Sequence, residues 1–409
     1  MRLSAAALPV VGLAAACAKE AATPGAAPVA SAAGTAVIRL PSPGNPVTLP
    51  LYPDNPVVAD GPLEAGPLKI YQWKSYLYDD ILDEFRRRYD VDLVVRNFDD
   101  MDEAVTKIRS GKMADFDVFF PSIGMLGPMV HEGLLRPLNH DLLPNMANLW
   151  EFFRSPAGPF YDVGQRYTVP YTIYGTGIAW NSDLLDRRAW PTELANPYDA
   201  FWRPGIAGPR VGFYDDYREA LALALLRNGV DDVNTSDPTA IEAAAGALVA
   251  LGEAGVTRGD DGAYEGIPEG TFKLHQSWSG DILSASAGER YPEAAEFIRY
   301  LWPKGGVVGA DLTGVLADGA NPRLAHAFVD FLMEPEIAWE NYSWNGYQPP
   351  VAVPDTPQAQ EWKPEVPTVT LDEADLDGAR WLVPLEPQVD ALWRQAWQRV
   401  AAATESQED

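Results

Sequence analysis

The sequence predicts an α/β protein in two lobes, on three grounds. From Leu68 onward, short apolar strands alternate with amphipathic helices, the pattern of a sheet flanked by helices. A β-rich stretch from Tyr167 to Asn181 interrupts that alternation and leads into a second set of elements. The chain, at 409 residues, also exceeds what one hydrophobic core commonly holds.

The first strand is Leu68-Lys-Ile-Tyr-Gln-Trp73. Leu77, Ile81, Leu82, Phe85 and Tyr89 then share one helical face. Val91 to Phe98 is the next strand, and Asp100 caps a helix carrying Ala104, Val105 and Ile108 that stops near Gly111. Phe116 to Phe120 is a third strand, ended by Pro121-Ser122. Ligands of such sheets lie at the carboxyl ends of strands, where Trp73 and Ser122 stand. The stretch 167–181 is read as the crossing into the second lobe. That lobe holds 208–213, a helix from Tyr217, a helix from Pro238 to about Leu251, and the strand-like Phe272 to Trp278. The chain is expected to return to the first lobe near Asp311, where Asn321-Pro322 starts a helix with Leu324, Phe328 and Phe331 inward. Asp390 to Ala401 is a closing amphipathic helix. The expected division is a secretion signal at 1–17, a Pro/Ala-rich tether or strap at 18–65, the first lobe at 66–168, the second at 169–311, a return to the first at 312–350, and second-lobe helices with an acidic tail at 351–409.

Cys17 is the single cysteine, so no disulfide forms within the chain. It follows the apolar, small-residue segment Leu3 to Ala16, too short to span a bilayer and suited to a signal peptide. Leu13-Ala-Ala-Ala-Cys17 resembles a bacterial lipobox, which implies acylation of Cys17 and a lipid-anchored protein at the outer face of the cytoplasmic membrane; an ordinary cleaved signal is the alternative. Arg2 to Leu8 resembles the part of a twin-arginine signal that follows the arginine pair, which would place the start codon upstream.

The net charge of −27 argues against nucleic acid and anionic membrane surfaces as partners and is compatible with a cationic ligand. Asp215, Asp216 and Glu219 sit at the start of the helix from Tyr217. Two readings of them stand: helix capping, and a receptor for an organic ammonium. Asp216 and Glu219, three apart, share a face, and the helix N-terminus is expected to keep them charged.

Catalytic machinery is hard to assemble. The four histidines, His131, His140, His275 and His326, lack metal-ligand spacing, and no phosphate loop or nucleophile elbow occurs. Glu373 to Gly378 looks like half a calcium loop, but Pro384 stands where its bidentate acid would be needed, so it reads as a solvated turn. No cofactor or metal is expected, and an enzyme using paired carboxylates stays as a distant alternative.

Across roughly residues 66–400 the chain resembles the spermidine/putrescine-binding proteins of bacterial ABC importers. The resemblance is carried by Tyr71-Gln-Trp-Lys-Ser-Tyr76, Phe116-Asp-Val-Phe-Phe-Pro-Ser122, Gly133-Leu-Leu-Arg-Pro-Leu138, the stretch 167–181, Asp215-Asp-Tyr-Arg-Glu-Ala220 and Asn345-Gly-Tyr-Gln-Pro349. It implies a two-lobed type II periplasmic-binding-protein fold, each lobe a mixed sheet flanked by helices and hinged by crossing strands. It implies a monomer, not an enzyme, that captures a polyamine in the interlobe cleft and hands it to a membrane permease. Carried over residue by residue, it makes Trp73 a cleft wall, Tyr76 a nearby tyrosine and Ser122 a hydroxyl for an ammonium. Asp216 and Glu219 become the acidic pair, Trp278 the stacking ring, Asp281 and Asp311 further acids, and Tyr347 an aromatic contact. Each has a plainer reading too: Trp73 and Trp278 as core, Asp281 as a helix cap, Ser122 as a turn residue.

The chain departs from the family pocket at four places. Lys74-Ser75 replaces a neutral contact and an acid, Gly309 and Gly124 replace aromatics, and Leu382 replaces an amide. Lys74 is expected at the cleft rim, leaving diamine binding intact. A zwitterionic amino compound or another small cation, bound by the same fold, is the alternative ligand.

Overall fold

A computed structural model describes residues 40–155, 159–259, 262–287, 291, 293–361, 366 and 370–404. The signal with Cys17, the first part of the expected tether and the last acidic residues lie outside the described residues. The first half runs β1 (Leu68–Trp73), α1 (Asp79–Tyr89), β2 (Leu93–Phe98), α2 (Met101–Arg109), β3 (Val118–Phe119), α3 (Ile123–His131), β4 (Leu135–Arg136), α4 (Glu151–Arg154) and the long strand β5 (Thr168–Asn181). The second runs β6 (Val211–Phe213), α5 (Tyr217–Arg227), α6 (Pro238–Glu253), β7 (Thr257–Arg258), β8 (Leu274–Trp278), α7 (Ser279–Ala287), α8 (Ala294–Phe297) and β9 (Ile298–Leu301). The chain then continues through β10 (Val307–Leu316), α9 (Pro322–Phe331), α10 (Pro335–Asn345), α11 (Pro357–Glu361), α12 (Glu373–Leu376), β11 (Arg380–Trp381) and α13 (Pro387–Thr404).

Local chemistry accounts for the early elements. Helix α1 buries Ile81, Leu82 and Phe85, with Asp79 and Asp80 in its first turn and Arg86, Arg87 and Arg88 in its last, the charge order a helix dipole favours. The Asp100 side chain accepts from the Glu103 N–H at 2.6 Å, the expected cap of α2.

The strand order β2-β1-β3-β10-β5-β8-β6-β7 joins two parallel groups through an antiparallel centre. β1 pairs in parallel with β2 and β3, and β6 in parallel with β7 and β8. β10 and β5 run antiparallel between these groups. Both cross from one hydrophobic core to the other. Val169, Tyr171 and Ile173 of β5 are buried in the first core, Ile178 and Trp180 in the second. β10 passes from the second core at Val307 to the first at Val308. The passages therefore fall inside the strands rather than at 169 and 311, because a crossing strand buries its two ends in different lobes.

Of the two readings of 18–65, the strap holds for its described second half, and one further boundary differs from expectation. The stretch from residue 47 to 64 is a strap on the first core. Val47 exchanges backbone bonds with Phe160 and Val163 at 2.7 and 2.9 Å, and Arg166 and Tyr167 donate to the Leu49 and Pro50 carbonyls. The C-terminal stretch from 351 was assigned to the second lobe, yet Leu371, Leu376, Trp381 and Val383 are buried in the first core. There Trp381 stacks on Phe152 and meets Phe160 edge-on. Leu382 and Leu385 reach the margin of the second core, and α13 joins it through Trp393, Ala396 and Val400. The amphipathic pattern of α13 was legible in sequence; the irregular segment before it carries no period to place it.

The strap also completes α9. Asn321 does not cap that helix, since its amide bonds to Asp117 and to the Pro67 carbonyl. Glu64 from the strap accepts instead from the Arg323 and Leu324 N–H groups at 3.1 and 2.9 Å. Glu64→Ala is therefore expected to cost about 1 kcal/mol of unfolding free energy in urea titrations, the worth of a lost N-terminal cap.

Candidate functional site

The crossing strands supply the platform, and the acids stand around it. Asp311 on β10 is 8% exposed. It lies in a bridge pair with Ser122 and accepts a hydrogen bond from the Tyr76 hydroxyl. That hydroxyl also meets Thr172 Oγ1 at 2.9 Å. Tyr76 is held from behind by α10. Asn345 Nδ2 donates to the Tyr76 carbonyl at 2.9 Å, and Asn341 Nδ2 to the Tyr171 hydroxyl at 2.7 Å, which itself donates to the same carbonyl. Asn341 and Asn345 are four apart on one helical face.

On the second lobe, Asp216 caps α5. Its Oδ1 accepts from the Arg218 and Glu219 N–H groups at 2.7 and 3.0 Å. From Glu219 to Leu226 every residue of α5 is buried, so no face of this helix is wet at that level. Glu219 Oε1 accepts from Thr176 Oγ1 at 3.0 Å and from Trp278 Nε1 at 3.1 Å. Its second oxygen, Oε2, is buried with no hydrogen-bond partner among the described residues. Trp278 stacks on Tyr214 at 4.1 Å between centroids.

The fourth acid, Asp281, joins the two sides. Tyr214 donates to its Oδ2 at 2.8 Å and Tyr347 to its Oδ1 at 2.6 Å. Two glycines seat Tyr347. Its ring lies over Gly280, where a Cβ would come within 2.6 Å, and Gly346 ends α10 with φ of +77° against the Gly280 carbonyl. The Tyr347 ring is 5.9 Å from Tyr76 and 6.1 Å from Tyr174, and Tyr174 is 5.9 Å from Trp278. The rings thus form a continuous wall past the acids.

Asp216, Glu219 and Asp311 take part in no ion pair among the described residues, whereas the neighbouring Asp215 pairs with Arg258 on the outside of the helix. Arg218 turns away, donating to the Val383 carbonyl and to Asn234 while lying over Trp393. Tyr217 likewise faces Asp390. Burial dominates the titration. Desolvation, with the charge of Asp216 second, pushes Glu219 up to about 7. Desolvation alone pushes Asp311 up to about 6, against the opposing Tyr76 hydrogen bond. Asp216 is raised too, although two N–H groups hold it. The expectation that the helix N-terminus keeps this pair charged is corrected for Glu219, where removal from water outweighs the dipole, whose contribution is about 0.3–1 kcal/mol at a surface; Asp216 stands exposed at the helix end and is raised in direction alone.

Eight of the nine residues singled out in sequence are brought together by these contacts. Trp73 is the exception. It is half-buried, packs on Phe98 at 4.6 Å, and belongs to the margin of the first core. Asp281 is an acceptor for two tyrosines and Ser122 precedes α3 without a side-chain cap bond. Lys74 is exposed, and Leu382 packs against the second core. Thr172, Tyr174, Thr176, Tyr214 and the Asn341/Asn345 pair escaped the sequence reading. Only the alternation of 171–176 along a strand could have signalled three of them. An apolar cavity of about 320 Å³ beside Trp150, Trp339 and Val351 has no acid in its lining, and a wider hollow sits at the β2 edge near Arg86. Neither has the chemistry of the acid cluster. Among the described residues no three His, Cys, Asp or Glu side chains converge as a metal site would require.

Two lobes joined by crossing strands, with acids and aromatic rings from both meeting at the junction, are the architecture of a two-lobed receptor for a small solute. Residues 80–368 match the family described as bacterial extracellular solute-binding protein, and the chain belongs to that family. It is 27% identical to spermidine/putrescine-binding periplasmic protein 1 of Haemophilus influenzae over 66% of this chain and 71% of that one. It is 25% identical to the putrescine/cadaverine-binding protein of Pseudomonas aeruginosa, over 79% and 89% of the two chains. The fold superposes on the PotD substrate-binding protein of a Streptococcus pneumoniae spermidine/putrescine ABC transporter with a TM-score of 0.67 and 22% identity, covering 83% of this chain and 99% of that one.

The raised carboxyls fix the sign of a pH effect on the ligand-free protein. Between about pH 4 and 7 these two carboxyls bind more protons in the folded state than in the unfolded one, so their contribution to stability is full at the acid end and falls as pH rises through 6 to 7. Buried His275, pushed down to about 4, and His326, lowered by burial too, act in the opposite sense below about pH 6.5. Urea midpoints measured from pH 6.5 to 8 are therefore expected to decline. Glu219→Gln should flatten the decline and stabilise the protein at pH 8. What slope remains would come from Asp311 and from Asp162, a buried carboxyl away from the site that burial likewise pushes up to about 6.

Proposed function

We propose that the protein is the extracytoplasmic solute-binding component of an ABC importer, that it captures a polyamine of the putrescine or spermidine kind in the interlobe cleft, and that it delivers this ligand to a membrane permease. The observation that carries the reading is the set of buried carboxyls without a cationic partner, walled by aromatic rings. A buried anion is costly unless a positive charge joins it. An organic diammonium supplies that charge, and its methylenes suit the ring faces. In this reading Glu219 Oε2 and Asp216 take one ammonium from the second lobe, and Asp311 takes the other from the first. A ligand held by both lobes favours their closure, since it binds the closed state better. The names of the relatives point to the same ligand class. Because solute-binding proteins are receptors, the carboxylate-pair enzyme is set aside.

Micromolar affinity needs about 8 kcal/mol. Charge-assisted hydrogen bonds at about 1.5–3 kcal/mol each, with a stacked stem, reach that sum. Titration calorimetry at pH 8 with putrescine, 1,5-diaminopentane, spermidine, agmatine, 4-aminobutyrate and arginine is expected to show binding of at least one diamine. Glu219→Gln should weaken it by roughly two orders of magnitude, as when one partner of a buried charge pair is neutralised. Affinity should also fall as pH drops from 8 to 5.5, because the ammonium must displace a proton from Glu219. An amine affinity indifferent to both changes would sink the proposal, and tight 4-aminobutyrate binding without diamine binding would move it to the zwitterionic reading.

The proposal extends to the membrane. Cys17, next after an apolar signal, is the acylated N-terminus that keeps the receptor near its permease. Cys17→Ser in the producing cell should shift the mature protein from the membrane fraction to the soluble one. Equal partition of both forms would remove the anchor from the account.

A further inference from the structure

We propose that Tyr174, on the crossing strand β5, is a ligand-contacting and specificity-determining residue of the cleft, admitted there by the absence of a side chain at Gly309. The inference rests on the amine reading above and adds a residue and a selectivity to it. Tyr174 and Gly309 are direct partners in the antiparallel register of β5 and β10, so their side-chain positions share one face of the sheet. The ring lies across the glycine: a Cβ at 309 would overlap Cζ, Cε2 and the hydroxyl of Tyr174. A ring covering a glycine across a sheet is also a packing device. Three observations go beyond packing. Tyr174 bridges the aromatic wall, touching Trp278 on one side and Tyr347 on the other. Its phenol lies within the field of Asp311, Glu219 and Asp216 together, so it stands among the acids that would grip the ligand. Its hydroxyl makes no hydrogen bond among the described residues, whereas those of Tyr76, Tyr171, Tyr214 and Tyr347 each hold a protein partner.

A half-buried ring with a free hydroxyl, placed between acids on opposite lobes, serves an amine in two ways. Its face receives the methylene stem and the ammonium. Its oxygen accepts a hydrogen that the carboxylates leave unbonded. Filling the space between Trp278 and Tyr347, the ring leaves less room for a long stem, so short diamines are favoured over spermidine.

The test is a set of dissociation constants for putrescine, 1,5-diaminopentane and spermidine, measured by titration calorimetry on variants whose melting confirms folding. Tyr174→Ala is expected to weaken the tightest diamine roughly tenfold and to narrow its advantage over spermidine. Gly309→Ala, which keeps Tyr174 but displaces its ring, should do the same. Tyr174→Phe should retain most of the affinity. The double variant Tyr174→Ala/Gly309→Phe, which returns a ring from the opposite strand, should recover much of what either single change loses. Unchanged constants in Tyr174→Ala and Gly309→Ala, beside a large loss in Glu219→Gln, would overturn the role of Tyr174 and leave the amine reading standing. Amine binding that ignores Glu219→Gln would overturn both. Should Tyr174→Ala fail to fold, Gly309→Ala alone decides, by losing affinity or keeping it.

Discussion

The structure depends on one costly arrangement, a glutamate buried on a helix that is packed on every side. Glu219 has two donors for one oxygen and none for the other. An unpaired carboxylate there would be strongly disfavoured, and the group responds by holding its proton until near neutrality. What surrounds it follows from that cost. Trp278 and Thr176 must be placed to within hydrogen-bond reach, which fixes the ends of β8 and the middle of β5 against α5. The Glu219 carbonyl is in turn bonded by Gln276 from the same strand as Trp278. The acid is thus locked into an orientation before any ligand arrives, which is the condition for binding without a large ordering cost.

The crossing strands make this orientation meaningful. Asp311 and Thr172 lie on the parts of β10 and β5 that bury neighbours in the first core, while Thr176 precedes the part of β5 that enters the second. A few residues of two antiparallel strands therefore connect both acid groups. Bending at this junction would alter the separation of Asp311 from Glu219 while leaving each lobe's own hydrogen bonds intact. The tyrosines follow the same division. Tyr76 belongs to Asp311, Tyr214 to Asp281, and Tyr347 reaches Asp281 from the end of α10.

Much of this was legible in the sequence where periodicity or capping speaks. The strand β1, the helix α2 with its Asp100 cap and the start of α5 at Asp216 agree with the sequence reading to within a residue or two. Apolar spacing and a short polar cap are local signals. The pieces left open or misplaced are those whose position is decided by distant partners. The strap 47–64 lacks a period and is ordered by backbone bonds to residues more than a hundred positions away. Trp381 found the first lobe through Phe152 and Phe160, not through any neighbour in sequence. In the candidate site, the residues alone pointed to the acids at the start of α5 and to Ser122 at a strand end, while Trp278, Asp281, Asp311 and Tyr347 were located by the motifs shared with the spermidine/putrescine-binding proteins. Asn341 and Asn345 were not singled out, since amides on a helix face look like surface until the Tyr76 carbonyl is seen beneath them.

The acids at the start of α5 show why the capping and binding readings were hard to separate and why they need not be. Asp216 spends Oδ1 on the first turn of the helix, and that bond sets where Glu219, one turn on, must project. Asp215, adjacent in sequence, is drawn outward to Arg258. Three neighbouring acids thus receive three environments: a solvated ion pair, a cap with its carboxyl at the cleft, and a buried carboxyl without countercharge. Sequence spacing could put Asp216 and Glu219 on one face, but it could not rank burial against the helix dipole. Burial wins here. The helix end supplies geometry, and the missing positive charge is left for whatever enters the cleft.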